Sequence, residues 1–282
     1  DFSEAYPNQS VSVRINPGIQ AGGNENISVG HIDSKFGVNE ENLDEIVKMD
    51  KEKKIKVTAL HIHTGSDIIK NNHFELGIRK IFSIAHKFRN IETIDLGGGI
   101  KIPYFLGDTK TDLNRYAEVI NEEVKKFKLK EGKDLNLIFE PGKFLVSDSG
   151  YFITKVNYVK KSSKNTFVQV NSGFNHFVRP TLYKSYHEIV NLSNPNDKKA
   201  DYSVVGYICE KDTFAENRQI SRVSKGDLLC FKNSGAYGFS MTSNYNSRLK
   251  PAEVCIHNHK LHLVRRRETI DDILKNQIDI FE

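Results

Sequence analysis

Four times in its first half this chain runs a short apolar stretch into a turn marked by glycine, with amphipathic stretches lying between them. The runs cover residues 11–15, 57–64, 91–96 and 135–140. They lead into Asn16-Pro17-Gly18, Gly65-Ser66, Gly97-Gly98-Gly99 and Pro141-Gly142. Helical periodicity fills residues 39–48, 72–88 and 113–127. Strand and helix in alternation, with glycine at the strand ends, is the pattern of parallel βα units. A (β/α)8 barrel and a doubly wound sheet both satisfy it. The barrel is favoured because the chemically interesting residues cluster at the C-terminal ends of strands, the catalytic face of such barrels. Only four units are present where a closed barrel takes eight, so four further strands are expected to precede Asp1.

From about Gly150 the rhythm changes. Residues 151–159, 166–170, 202–205, 227–231, 252–257 and 259–264 read as strands bounded by Gly, Asn and Asp. A helix is expected over 182–191 and a terminal one over 268–274. The expected fold is therefore α/β plus β. Residues 1–149 make the C-terminal half of a (β/α)8 TIM-like barrel, and residues 150–282 a mainly antiparallel β domain.

Composition narrows the partners. The net charge of +5 is dispersed, and the short basic runs at 51–56, 160–164 and 265–267 lack interleaved aromatics. Solvated faces are expected there, not contact with nucleic acid or membrane. No apolar run approaches the ~20 residues that span a bilayer. Cys209, Cys230 and Cys255 are odd in number and widely spaced, which points to a reducing, cytoplasmic setting. The chain opens on Asp1 with neither an initiator Met nor a secretory signal, so the natural protein is expected to begin earlier.

Two readings of the strand ends stay open on residues alone. His61 and His63, two apart on one strand, face one side, and Asp95 and Glu140 end neighbouring strands. Such a set suits a divalent metal in a barrel hydrolase, or a hydrogen-bonded core histidine with a structural carboxylate. Gly97-Gly98-Gly99 lets backbone N–H groups approach an anion, with Ser66 able to add a hydroxyl, or it forms an ordinary tight turn. In the second half, Tyr207 to Asp212, with Cys209, Glu210 and Asp212, and Gly235-Ala236-Tyr237-Gly238 put a thiol, two carboxylates and a phenol among strands and turns.

Taken in order, these segments carry a resemblance. They are Arg14-Ile15-Asn16-Pro17, Gly30 to Gly37, His61 to Ser66, Asp95 to Gly99, Glu140-Pro141-Gly142-Lys143, Arg179 to Tyr183, Cys209-Glu210 and Gly235-Ala236-Tyr237. Over nearly the whole chain this order resembles the diaminopimelate decarboxylase family, among the barrel-type, alanine-racemase-fold pyridoxal-phosphate decarboxylases. The resemblance implies pyridoxal 5'-phosphate as cofactor and decarboxylation of meso-diaminopimelate to lysine. It implies that His63 stacks on the pyridine ring, that Ser66, Gly97, Gly98 and Gly99 hold the phosphate, and that Glu140 pairs with the ring nitrogen. By the same resemblance Tyr237 touches cofactor and substrate, and Arg179 and Tyr183 grip the remote carboxylate. Glu210 accepts the remote ammonium, and Cys209 returns a proton. In this family the Cys-Glu pair reaches the site from a partner subunit, so a homodimer is implied. No metal is expected.

Two departures stand out. Lys143 occupies the place of the family's arginine, keeping the charge but losing the bidentate fork, which weakens its expected contact with a substrate carboxylate. The family's Schiff-base lysine lies near the start of the barrel and has no counterpart in these residues. Carboxynorspermidine or ornithine/arginine-type decarboxylation, a non-catalytic homologue and a metal-dependent hydrolase are the alternative readings.

Overall fold

The computed structural model describes residues 2–6, 9–19, 30, 34–68 and 71–280. Positions 31–33 of the Gly30 to Gly37 motif lie outside them. The chain forms two compact units, Asp1–Leu145 and Val146–Glu282.

The first unit runs α1 (Phe2–Ala5), β1 (Ser10–Ile15), α2 (Leu43–Lys51), β2 (Lys56–Ile62), α3 (Asn71–Ala85), β3 (Thr93–Asp95), α4 (Leu113–Glu131) and β4 (Asn136–Ile138). The strands lie in sequence order and all pair in parallel. Parallel strands need both faces covered, and Val57, Leu60 and Ile94 are fully buried accordingly. Ile81 and Phe82 of α3 and Val119 of α4 belong to the same core. Each burial of this kind removes apolar surface worth ~1.5–3 kcal/mol per side chain.

Local chemistry sets the helix limits. Asp112 caps α4, its carboxylate accepting from the N–H groups of Asn114 and Arg115, both at 3.1 Å. Gly132 ends that helix in the left-handed region, φ 70°, where a side chain is disfavoured. Asp50, buried in α2, accepts from Val57 N at 2.9 Å and ties helix to strand. Arg115 forks onto both oxygens of Glu75 at 2.9 Å, joining α4 to α3. Four parallel strands are half the number a closed barrel takes, and at the end of β4 the side chains of Ile138 and Phe139 are exposed.

α5 (Gly142–Val146) crosses the boundary between the units. The second unit continues with β5 (Phe152–Lys161), β6 (Thr166–Val170), α6 (Arg179–Tyr183), β7 (Ile189–Asn191), β8 (Lys199–Val205), β9 (Thr213–Ser221), β10 (Leu228–Phe231), β11 (Glu253–His257), β12 (Lys260–Arg265) and α7 (Ile270–Leu274). Six strands form one sheet in the order β7-β10-β5-β6-β8-β9, in which only β6 and β8 pair in parallel. Phe152, Phe177, Phe214 and Phe231 fill its core with ring centroids 5.2 to 6.3 Å apart. β11 and β12 make a separate hairpin.

The two-part architecture agrees with the sequence expectation, and one element within it does not. Residues 182–191 are not a helix. The helix is earlier and shorter, α6, because Lys184 turns left-handed at φ 52° and stops it. Ile189 to Asn191 then pair with β10, and the Asn191 amide donates to Asp227 Oδ2 at 2.9 Å. The structure also contains β9, a polar stretch broken by the left-handed Asn217 that periodicity alone does not reveal. Among the described residues no helix is long and apolar enough to cross a membrane. All three cysteines are free.

Candidate active site

The strand ends of the first unit bring most of its expected residues together. Parallel register sets His61 of β2 opposite Asp95 of β3, and His61 Nδ1 lies 2.9 Å from Asp95 Oδ2. The other Asp95 oxygen accepts from Gly97 N at 2.9 Å, shaping the glycine turn. Gly98 N donates to His63 Nδ1 at 3.1 Å. That bond requires the lone pair on Nδ1, so the ring proton sits on Nε2. Burial first, then the charge of Arg14, lowers the His63 pKa to about 4. At neutral pH His63 is therefore a flat, uncharged aromatic surface.

This shift carries a pH dependence. Between pH 6.5 and about 4 the unfolded chain protonates this histidine and the folded chain does not, so stability is lost as pH falls through that window. The thermal midpoint of the cofactor-free full-length protein should fall on acidification, and less steeply in His63→Gln, which keeps an acceptor but cannot titrate. Equal slopes for the two proteins would contradict the assignment.

Glycine is obligatory at the turn. A Cβ on Gly97, Gly98 or Gly99 would lie 2.4 Å from the carbonyl oxygen of Ile62, Glu140 or Gly65 respectively. Three neighbouring strand ends thus close on one loop, cross-linked by Glu140 N donating to Gly97 O at 2.8 Å and Ile68 N to Gly99 O at 3.1 Å. Ser66 follows Gly65 beside this loop. The Glu140 carboxylate is exposed, and its charge reaches Arg14 at the end of β1. Burial lowers the Arg14 pKa while Glu140 opposes the shift. Sequence reasoning included Arg14 in a motif without giving it a role.

The metal reading takes a different form from the one expected. Ligand atoms of His61, Asp95 and Glu140 lie within 4.8 Å of one another. His63 is not in that group, and its Nδ1 accepts from Gly98 N. Lys143 is buried and ion-paired with Asp67 Oδ2, and Asp67 itself is left-handed at φ 54°. This lysine is tied to the residue after Ser66, a partner that sequence spacing could not reveal.

In the second unit α6 presents Arg179 and Tyr183. The Arg179 guanidinium lies 5.8 Å from the Tyr183 ring centroid and 5.7 Å from that of Tyr237. Tyr237 is exposed and left-handed, φ 59°, in a turn whose neighbours must be glycine. A Cβ on Gly235 would come 1.8 Å from Val146 O, and one on Gly238 2.1 Å from Ser234 O. Cys209 and Glu210 are both exposed on the loop between β8 and β9. Asp212, which stands in the same sequence segment but had no role there, holds that loop together with Tyr245 and Asn246, which the motifs did not include.

A neutral aromatic surface, a glycine cradle and an open carboxylate on one face can accept a planar, phosphorylated heteroaromatic ring. Residues 2–147 match the family model described as pyridoxal-dependent decarboxylase, pyridoxal binding domain. The chain belongs to the pyridoxal-dependent decarboxylases. Among curated members it is 38% identical over 277 residues to the diaminopimelate decarboxylase of Methanothermobacter thermautotrophicus, with 95% of this chain and 64% of that protein covered. It is 32% identical over 276 residues to that of Aquifex aeolicus, with 96% and 64% covered. The chain thus spans 64% of the length of these two relatives. A crystal structure of diaminopimelate decarboxylase superposes with a TM-score of 0.88 at 32% identity, covering 97% of this chain and 68% of the other. The Helicobacter pylori enzyme complexed with L-lysine gives a TM-score of 0.84 at 33% identity, covering 94% and 66%. Within the pyridoxal-dependent decarboxylases, the donor set here suits the cofactor. The cradle admits no Cβ, His63 is uncharged, and the Glu140 carboxylate is open to solvent.

Proposed function

We propose that the full-length protein decarboxylates meso-diaminopimelate to L-lysine with pyridoxal phosphate. The observation that carries this reading is the Gly98 N to His63 Nδ1 hydrogen bond at 3.1 Å, which joins the cradle to the ring platform beside Glu140. The names of relatives at 32 to 38% identity support the substrate. When bound, pyridoxal phosphate supplies an electron-accepting ring that stabilises the charge left on the substrate's Cα as CO₂ departs.

The chain's own residues do the remaining work in this reading. Gly97, Gly98, Gly99 and Ser66 hold the phosphate with N–H and hydroxyl donors. His63 supports the ring face, and Glu140 keeps a proton on the ring nitrogen. Arg179 and Tyr183 bind the carboxylate remote from the reacting carbon, and Glu210 binds the ammonium there. Lys143 is assigned to the substrate side as a neighbouring cation, its reach limited by the pairing with Asp67. Tyr237 offers its phenol to cofactor and substrate. The Cα–carboxylate bond breaks, and Cys209 delivers a proton to Cα. The cofactor groups belong to residues 1–149 and the substrate groups, Lys143 apart, to residues 150–282. A homodimer in the cytoplasm, with Cys209 and Glu210 serving the neighbouring subunit's site, completes the proposal. Three free, dispersed cysteines are consistent with that compartment.

A substrate panel on the full-length protein tests it. Ornithine lacks the remote carboxylate, so a site built to pair that group should disfavour it by ~10⁴-fold in kcat/KM. Diaminopimelate should be turned over and carboxynorspermidine disfavoured. Equal turnover of ornithine, or none of diaminopimelate, would refute the assignment.

A further inference from the structure

The short turn Tyr245–Ser247 belongs to none of the segments assigned so far. Asn246 and Ser247 are both left-handed, at φ 55° each. Consecutive non-glycine residues in that region are unfavourable and persist only where the surroundings enforce them, as happens at functional sites. The surroundings can be traced. Ser243 N donates to Asn175 O at 2.9 Å, and the Tyr245 ring lies against Phe174 with centroids 5.4 Å apart. Phe174 N in turn donates to Asp212 Oδ1 at 2.8 Å. The other oxygen of Asp212 accepts from Ile208 N at 2.9 Å, immediately before Cys209.

Asp212 is a buried carboxylate satisfied by backbone amides, and burial raises its pKa. Such a group is unfavourable unless its hydrogen bonds are all made, and here they pin two chain segments to each other. The circuit closes at the loop carrying the reactive groups. Tyr245 OH donates to Glu210 Oε1, and Asn246 Nδ2 donates to Cys209 Sγ at 3.6 Å, within the longer reach of sulfur.

We propose that Tyr245 and Asn246 are positioning residues, Tyr245 aiming the Glu210 carboxylate and Asn246 the Cys209 thiol, a role that rests on the decarboxylase reading of those two side chains. Tyr245 engages one oxygen of Glu210 and leaves the other to accept an ammonium. The bond to Glu210 raises the Tyr245 pKa, so the hydroxyl remains a donor at neutral pH. By donating to Sγ the Asn246 amide selects one thiol rotamer, and the contact strengthens as negative charge develops on sulfur during attack. Asparagine suits the task because it tolerates the left-handed backbone while carrying a donor.

Two variants of the full-length protein separate the parts. Asn246→Gly keeps the backbone freedom and removes the donor. Capture of Cys209 by iodoacetamide at pH 7, followed by mass spectrometry of its peptide, should slow at least threefold. Tyr245→Phe removes one hydroxyl and should raise KM for diaminopimelate about tenfold with kcat held within twofold. Its thermal midpoint should match the wild type, so it decides the matter even where the turn variant unfolds. Wild-type alkylation in Asn246→Gly overturns the thiol assignment, and an unchanged KM in Tyr245→Phe overturns the carboxylate assignment. Should wild-type protein release no CO₂ from diaminopimelate, the decarboxylase reading fails, while the alkylation comparison still decides the role of Asn246.

Discussion

Glu140→Gln is expected to lower kcat by ~10²–10³-fold, the range for removing one preorganised electrostatic group from an active site. The carboxylate emerges from the end of β4, and its ligand atom comes within 4.8 Å of those of His61 and Asp95. A negative charge at that point favours the protonated ring nitrogen, which makes the cofactor an effective acceptor of electrons. Glutamine matches the shape and removes the charge. It also withdraws the charge that offsets burial at Arg14. Cofactor affinity should change much less than kcat, because the glycine loop proposed to hold the phosphate is untouched. Steady-state kinetics beside a cofactor titration distinguish the two, and a kcat within threefold of wild type would refute the role.

The second large effect concerns the cradle. In Gly98→Ala the new methyl would sit 2.4 Å from the carbonyl oxygen of Glu140, a backbone atom held by Glu140 N to Gly97 O. The strand ends must separate, and the Gly98 N to His63 Nδ1 bond separates with them. Overpacking of this kind typically costs ~1–3 kcal/mol. The larger loss should be in cofactor affinity, weakened at least ~100-fold, because the donors proposed to face the phosphate and the histidine proposed to support the ring would move together. Gly142→Ala is the contrast, since its added Cβ meets nothing within 4 Å. Thermal unfolding and cofactor titration of both variants provide the check. Wild-type affinity in Gly98→Ala would rule out the cradle as the phosphate site.

The strand ends were readable because their chemistry is local. Glycines at 97, 98 and 99 announce backbone crowding, and a two-residue spacing fixes the relation of His61 to His63. The four βα units followed from the periodicity of their apolar residues. The residues missed depend on long-range partners. Nothing in the local pattern around Lys143 announces its ion pair with Asp67, far away in sequence. Asp212 stands in one segment with Cys209 and Glu210, but nothing local shows that its two oxygens bind the backbones of Phe174 and Ile208. Residues 182–191 looked helical because nothing in the local pattern declares Lys184 left-handed or pairs Ile189 with β10. Strand β9 was concealed by its polar middle, which the pairing with β8 overrides.

The most direct test is a structure of the full-length protein bound to pyridoxal phosphate. The ring nitrogen is expected within ~2.6–3.2 Å of a Glu140 carboxylate oxygen, with His63 against the ring face and the phosphate at Gly97 to Gly99. A ring nitrogen turned away from Glu140, or a phosphate bound elsewhere, would contradict that placement.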